Sequence, residues 1–356
     1  MACRTAALGG HAETCDRCGA TRVTYHSCRN RHCPTCQATA RDRWLDARRA
    51  ELLPIPYFHV VFTLPHAVNA LAQGNPRLVY ALLFRAATDT LLAFGRDPRH
   101  LGGTIGVTAI LHTWGQTLTQ HLHLHCVVTG GALNRDGTRW LPARRRLLFP
   151  VRALAQVFRA KYLEALDGAY RAHRLTFASG TAPLVVSVAW RGFLATLYAQ
   201  SWVVYAKPPF GGPDRVLAYL ARYTHRVAIT HARLVDLVDG VVRFRWKDYA
   251  DHNRPKIMTL TADEFLRRFL LHVLPAHFVR IRHAGHFGNH HRHARLARCR
   301  ALLGVSRLPA PAEPVATHLP PAPERCPVCH QGTMHVTAIL SPLILWPRGP
   351  RAPDPP

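Results

Sequence analysis

Acidic residues are scarce in this chain. Only 20 Asp and Glu stand against 46 Lys and Arg over 356 residues, giving a formal charge of +26. A surplus of that size exceeds what solubility needs and excludes an acidic, self-solvating protein, so the natural counterpart is a polyanion, with DNA or RNA first. Lysine is rare too, at 4 of the 46 basic residues, a bias that GC-rich codons would give by themselves and from which no function is read. No run approaches the roughly 18 uninterrupted apolar residues of a membrane span, and Met1 to Ala12 has no apolar h-region. Both absences predict a cytoplasmic protein without a membrane partner. No internal repeat is evident.

What is present is enough apolar material, 48%, for packed cores in two or three domains. Six of the ten cysteines fall between Cys3 and Cys36, a clustering that in a reducing compartment points to metal rather than disulfides. Cys15 with Cys18 and Cys33 with Cys36 form two CxxC knuckles with 14 residues between them. Two such knuckles complete one tetrahedral Zn(II) shell. Cys3, His11, His26, Cys28 and His32 remain to substitute for a ligand or to build a second site, and spacing does not choose between these. The Arg-rich run from Cys28 to His32 adds phosphate-binding surface. Far downstream, Cys326 and Cys329 with His330 or His335 would make half of another zinc site.

The expected organisation is a zinc-binding module over residues 1–40, a connecting helix over 41–54, and a catalytic domain over 55–275. A basic His/Arg-rich segment over 276–308 and a Pro-rich tail with a CxxC over 309–356 complete it. Apolar runs predict strands at Tyr57 to Leu64, Thr104 to His112, His121 to Thr129 and Ser201 to Ala206. Helical periodicity covers Arg77 to Phe94, Val151 to His173 and residues 262–274. Trp140 is the expected hairpin partner after the Asn134 to Gly137 turn, and Val227 to Leu237 and Val241 to Tyr249 alternate around Asp239 and Gly240 as a hairpin does. This order argues for an α+β fold, an antiparallel sheet with flanking helices.

Two motifs carry the chemistry. His121, Leu122, His123, Leu124 and His125 lie in a strand, where residues two apart share a face, so His123 and His125 point at one ion and His121 extends the row. Gly130 and Gly131 at the strand's exit permit close backbone approach to a ligand. The bland alternative is a row of satisfied polar histidines. A third ligand is required. Gln116, seven residues before His123 across a short turn, brings a carboxamide oxygen, with Gln120, His112 and His225 as competitors; the neutral His/His/Gln set suits Mg(II) or Mn(II).

The second motif is Tyr219 and Tyr223, four apart on a helix that Pro213 and Asp214 begin, and so on one face. An aromatic packing pair is the alternative, but Arg215, Arg222, His225 and Arg226 make the helix basic, which suits a phosphate. Tyrosine attack on a phosphodiester gives a phosphotyrosine ester and frees a 3′-hydroxyl, so the bond is exchanged and can be resealed. Lys207, and Arg243, Arg245, Trp246, Lys247 and Tyr249 in the hairpin, interleave cations and aromatics as single-stranded DNA grooves do; a solvated charged face is the rival. The cluster from His283 to Arg300 reads as phosphate contact.

These residues carry a resemblance. CRTAALGGHAETCDRCG followed by SCRNRHCPTCQ resembles the zinc-binding domain of bacterial transposases of the IS-ninety-one type. HLHLHCVVTGGAL resembles their HUH motif, with Leu122 where relatives often have Pro, and KPPFGGPDRVLAYLARYTHRVAI with FRWKDY resembles their two-tyrosine region. The resemblance implies an HUH endonuclease-like core. It also implies rolling-circle transposition: a single-strand nick at the element's end, a 5′-phosphotyrosine intermediate, strand displacement by a host helicase and transfer into a short target, close to the nucleoid. On this reading His123 and His125 hold Mg(II) or Mn(II), Tyr219 and Tyr223 are the nucleophiles, and Cys15, Cys18, Cys33 and Cys36 hold Zn(II). Arg222, Arg226, Lys207, Arg245 and Lys247 then contact DNA. The rivals are a rolling-circle replication initiator or relaxase, and a non-catalytic zinc DNA-binding protein derived from a transposase.

Overall fold

The computed structural model describes residues 3–30, 32, 33, 35–49, 51–143, 148–210, 215, 216, 219, 228–305 and 324–343. The chain forms two compact units, one from Met1–Asp46 with Pro309–Pro356, the other from Ala47–Leu308. The fold is α+β with antiparallel sheets and flanking helices, as the sequence predicts.

In the smaller unit, β1 (Gly10–Cys15) and β2 (Thr21–Tyr25) form a hairpin, and helix α1 (Cys36–Arg49) begins within it. The far end of the chain returns to this hairpin. Strand β14 (Met334–Leu340) pairs antiparallel with β1 from Gly10 opposite Leu340 to Cys15 opposite Met334.

The larger unit is built on a five-stranded antiparallel sheet of β3 (Tyr57–Thr63), β5 (Gly106–Trp114), β6 (Gln120–Thr129), β9 (Val204–Phe210) and β13 (Ile281–Gly285), in the order β13-β5-β6-β3-β9. Alternation sets its two faces. Val60 and Phe62 of β3, Leu122, Leu124, Cys126 and Val128 of β6, and Val107, Ala109 and Leu111 of β5 turn to one side and join the main core. Covering them are α3 (Pro76–Arg96) and α4 (Val151–Arg171), with the short α2 (Asn69–Gly74) and α5 (Ser187–Ala199) alongside. Helix α3 is long and apolar enough to cross a membrane, and 56% of that stretch is buried inside the protein. Val79, Leu83, Ala87 and Leu91, at i, i+4, i+8 and i+12, are its fully enclosed stripe.

Gly95 does not end α3 as its sequence suggests. The helix runs on to Arg96 because Gly95 lies against Ile105, where an added Cβ would come within 3.1 Å of that side chain. A small sheet of β4 (Gly103–Thr104), β7 (Gly131–Asn134) and β8 (Trp140–Pro142) contains the expected Trp140 hairpin, with Leu133 opposite Trp140. A second sheet joins β10 (Leu234–Val238), β11 (Val241–Asp248) and β12 (Arg254–Thr261). Its hairpin turns on Asp239 and Gly240, both at positive φ. Helix α6 (Ala262–Leu270) packs Phe265 and Phe269 on this sheet around Phe244. The stretch from His283 to Arg300 divides between edge strand β13 and helix α7 (Arg292–Leu302), and several of its side chains are engaged internally: Arg292 with Glu51, Arg298 with the Gly137 carbonyl, His283 with Thr108.

Leu124 is fully enclosed on the core face of β6, so Leu124→Ala is expected to cost about 2 to 5 kcal/mol in urea denaturation. His272 gives a pH test. Its Nε2–H donates to the Leu118 carbonyl at 3.0 Å, its Nδ1 accepts from the Thr113 hydroxyl at 3.2 Å, and burial holds its pKa down at about 4. A histidine that resists protonation in the folded state contributes stability above its unfolded pKa of about 6.5, lost as pH falls toward 4. The wild-type denaturation midpoint should therefore drop between pH 7 and 4.5, and His272→Gln, which keeps an amide donor without titrating, should drop less steeply.

Candidate functional site

The open face of the main sheet is lined with imidazoles. His121, His123 and His125 alternate with the core leucines on β6, and the neighbouring strands place His112 opposite His123 and His59 two residues from Val61, the partner of His125. Residues directly opposite in an antiparallel pair share a face. One nitrogen each from His112, His123 and His125 lies within 4.8 Å of the others. The His123 Nδ1–H donates to the His121 carbonyl at 2.8 Å, so its Nε2 keeps the free lone pair, the tautomer a metal ligand needs. Burial pulls the His123 pKa well below the usual imidazole value. Burial, then His59 and His121, bring that of His125 to about 3. The row is therefore neutral and lone-pair-bearing at pH 7.

The third member of this group is His112, which the sequence offered as a competitor of Gln116. Gln116 sits in the tight turn between β5 and β6, and its amide donates to the Tyr249 hydroxyl at 3.0 Å. The β5–β6 register puts His112 beside His123. An all-nitrogen set of three imidazoles fits a divalent transition ion such as Mn(II) better than Mg(II), which prefers oxygen.

Tyr219 closes the site from above. Of its segment, Arg215, Val216 and Tyr219 are described and helical. Val216 is fully buried and Tyr219 8% exposed, the i, i+3 face turned to the sheet. The Tyr219 hydroxyl lies 2.6 Å from His59 Nε2 and 3.1 Å from His125 Nδ1, and those two nitrogens are 2.9 Å apart. His59 was missed from sequence; its only signal is a polar residue inside the apolar run YFHVVFT. Burial first, then the charge of Lys207, which stands opposite it on β9, brings its pKa down to about 3. It is thus a neutral acceptor beside a phenol. Tyr223, Arg222 and Arg226 lie outside the described residues.

Of the other expected contacts, Lys207 is exposed at the edge of the site, and Arg245 and Lys247 are exposed on β11. The interleaving expected there resolves into two faces. Phe244 and Trp246 pack into the second core while the cations face solvent, and of the hairpin's expected aromatics Tyr249 stays exposed with them.

The cysteines of the smaller unit divide into two quartets, Cys3, Cys28, Cys33 and Cys36, and Cys15, Cys18, Cys326 and Cys329. The single shell of Cys15, Cys18, Cys33 and Cys36 expected from spacing is thus split. The hairpin of β1 and β2 carries the two N-terminal knuckles into different groups, and each finds partners elsewhere in the chain.

An α+β protein with three histidines spaced as metal ligands are, a tyrosine hydroxyl beside them and a separate cysteine-rich module has the side chains of a metal- and zinc-binding protein. Comparison with known proteins takes that class to a family. Residues 106–295 match the family model described as "Putative transposase", and residues 1–64 match that described as "Transposase zinc-binding domain". The chain is 53% identical over 97% of its length to "Putative transposase y4qJ" of Sinorhizobium fredii (strain NBRC 101917 / NGR234), covering 89% of that protein. It is 30% identical over 81% of its length to "Transposase for insertion sequence element IS801" of Pseudomonas savastanoi pv. phaseolicola, covering 68% of that protein. No solved structure matches. The chain belongs to the IS-ninety-one family of transposases and carries its N-terminal zinc-binding domain. Membership makes it a DNA-binding, DNA-cleaving enzyme.

The assignment of the third histidine is open to a direct test. In Mn(II) titrations followed by electron paramagnetic resonance, His112→Ala should weaken binding by about tenfold or more, and Gln116→Ala should leave it unchanged. Equal loss in both would restore Gln116 to the shell.

Proposed function

We propose that this transposase nicks and rejoins single-stranded DNA at insertion-sequence ends through a 5′-phosphotyrosine intermediate, driving rolling-circle transposition. The observation that carries the reading is the Tyr219 hydroxyl at 2.6 Å from His59 and 3.1 Å from His125, a member of the three-histidine group. His112, His123 and His125 would hold Mn(II) or Mg(II); such an ion, when bound, polarises the scissile phosphate and stabilises charge on the departing oxygen.

The chain's own groups do the rest. His59, whose Nε2 lies 2.6 Å from the Tyr219 hydroxyl, accepts the phenolic proton as Tyr219 attacks phosphorus, the negative charge of the incoming phosphate offsetting the burial and the Lys207 charge that hold its pKa down. The bond from phosphorus to the tyrosine oxygen forms, the bond to the 3′-oxygen breaks, and the proton returns to that oxygen. Rejoining runs the same exchange backwards with a 3′-hydroxyl as attacker. Tyr223 serves the second of two linked transfers. Lys207, Arg245 and Lys247, with Arg222 and Arg226, neutralise the DNA backbone. A host helicase supplies displaced strand, and the reaction belongs in the cytoplasm at the nucleoid.

The test is denaturing electrophoresis of the chain mixed with labelled single-stranded DNA from the element's end and Mn(II). A covalent protein–DNA band is expected. Tyr219→Phe should remove the first nick, Tyr223→Phe should keep the adduct and lose the second transfer, and His59→Ala should slow adduct formation on the order of 10² to 10⁴-fold. Undiminished DNA binding with no adduct in the wild type would reduce the protein to a binder.

A further inference from the structure

The C-terminal CxxC has no part in the chemistry above, and the family's zinc-binding match ends at residue 64. Yet Cys326 and Cys329 sit beside Cys15 and Cys18. Cys15 Sγ is 3.8 Å from Cys329 Sγ, and Cys18 Sγ is 3.7 Å from Cys326 Sγ. The edge of a tetrahedron with zinc–sulfur bonds of about 2.3 Å is about 3.8 Å, whereas a disulfide brings sulfurs to about 2 Å. These four are spaced for an ion between them.

The surroundings are those of paired zinc knuckles. Backbone N–H groups aim at three of the sulfurs: Arg17 at Cys15 and Val328 at Cys326, both at 3.4 Å, and Gly332 at Cys329 at 3.3 Å. Such donors favour the thiolate, which is the ligand form. Gly332 is pressed against the opposite knuckle, where a Cβ would lie 2.5 Å from Cys15 Sγ and 2.6 Å from Asp16 Oδ1. Thr333 N–H donates to Asp16 Oδ1 and the Asp16 N–H to the Thr333 carbonyl, so the two loops are clasped directly above the sulfurs. Cys15 and Cys326 are buried. His335, a candidate fourth ligand by sequence, instead faces Asp16 at 3.5 Å, and four sulfurs complete the shell without it.

We propose that Cys15, Cys18, Cys326 and Cys329 hold a Zn(II) of their own, distinct from one that the Cys3, Cys28, Cys33 and Cys36 quartet would hold, so that the module binds two ions and one of them ties strand β14 to the N-terminal hairpin. This rests on the zinc-binding character of the module and is independent of the DNA chemistry proposed above.

Elemental analysis of the full chain carrying His112→Ala and His123→Ala, so that the histidine group contributes no ion, and purified under reducing conditions should give two zinc ions per chain, and adding Cys326→Ser/Cys329→Ser should give one. One zinc in the first of these, or two retained in the second, overturns the second cysteine site. Because a double substitution can unfold the module, the wild type carries a second readout. With zinc bound, N-ethylmaleimide followed by mass spectrometry should find all eight module cysteines protected, and graded chelation should expose Cys15, Cys18, Cys326 and Cys329 together as one set. Labelling of Cys326 and Cys329 while the N-terminal six stay protected would overturn the proposal and leave the family's zinc domain intact. Labelling of all eight in the metal-loaded chain would remove both.

Discussion

Strand β6 must satisfy two environments at once, and the rest of the larger unit is arranged around that requirement. Its even-numbered residues Leu122, Leu124, Cys126 and Val128 enter a dry core, while its odd-numbered residues His121, His123 and His125 enter a polar pocket. Because the strand period is two, a slip of one residue would exchange the faces and bury imidazoles among leucines. Register is held from both sides, by β3 and by β5. The same pairings that keep the leucines dry also deliver His59 and His112 to the histidine face. Packing and chemistry are therefore not separable here: the residues that stabilise the sheet are what positions the site.

Burying several imidazoles in one place is costly unless each ring has a partner and none carries charge. The site meets the first condition with the His121 carbonyl and the Tyr219 hydroxyl, and the second with burial and the nearby ammonium of Lys207. Three imidazole nitrogens within 4.8 Å of one another are what a cation would stabilise. Tyr219 is held where the three-histidine group and His59 meet, and on the reading proposed above this is where the nucleophile is needed. Its hydroxyl is thus oriented by hydrogen bonds before any DNA arrives, which reduces the ordering left to be done in the reaction.

Much of this was legible in the sequence because it is local. The β6 row, the α4 periodicity and the Asp239–Gly240 hairpin are read within windows of 5 to 20 or so residues, and strands or helices of that length repeat their pattern inside the window. His59 and His112 escaped, or ranked behind Gln116, because a lone histidine in an apolar strand has no periodic signature. Its role depends on which strand lies beside it. Trp246 was misjudged in a related way: mixed cations and aromatics in β11 look interleaved along the chain, but strand alternation sorts them to opposite faces. The cysteine partition was hidden for the strongest reason. The four sulfurs of Cys15, Cys18, Cys33 and Cys36 do satisfy the spacing rule for one shell, and the true neighbours of the first pair lie about 300 residues away.

Whether an ion can hold such distant segments together is a matter of magnitudes. Treating the whole separation of 308 residues from Cys18 to Cys326 as a flexible loop, closure costs about 5 kcal/mol from its length dependence. Most of that stretch is folded as the larger unit, so the real cost is smaller. A structural zinc shell contributes about 10 to 16 kcal/mol, and the β1–β14 ladder adds to it. The balance favours closure by a wide margin with metal and leaves it marginal without. Metal loading would then act on β14 as well as on the knuckles: β14 is an edge strand of a three-stranded sheet with Val336 and Ile339 exposed, held on β1 without the sulfurs by the ladder, the clasp at Asp16 and surface contacts such as Arg22 with Glu324 and Thr14 with Thr337. The zinc module is in this sense a property of the whole chain, completed only when its last strand has come back to its first.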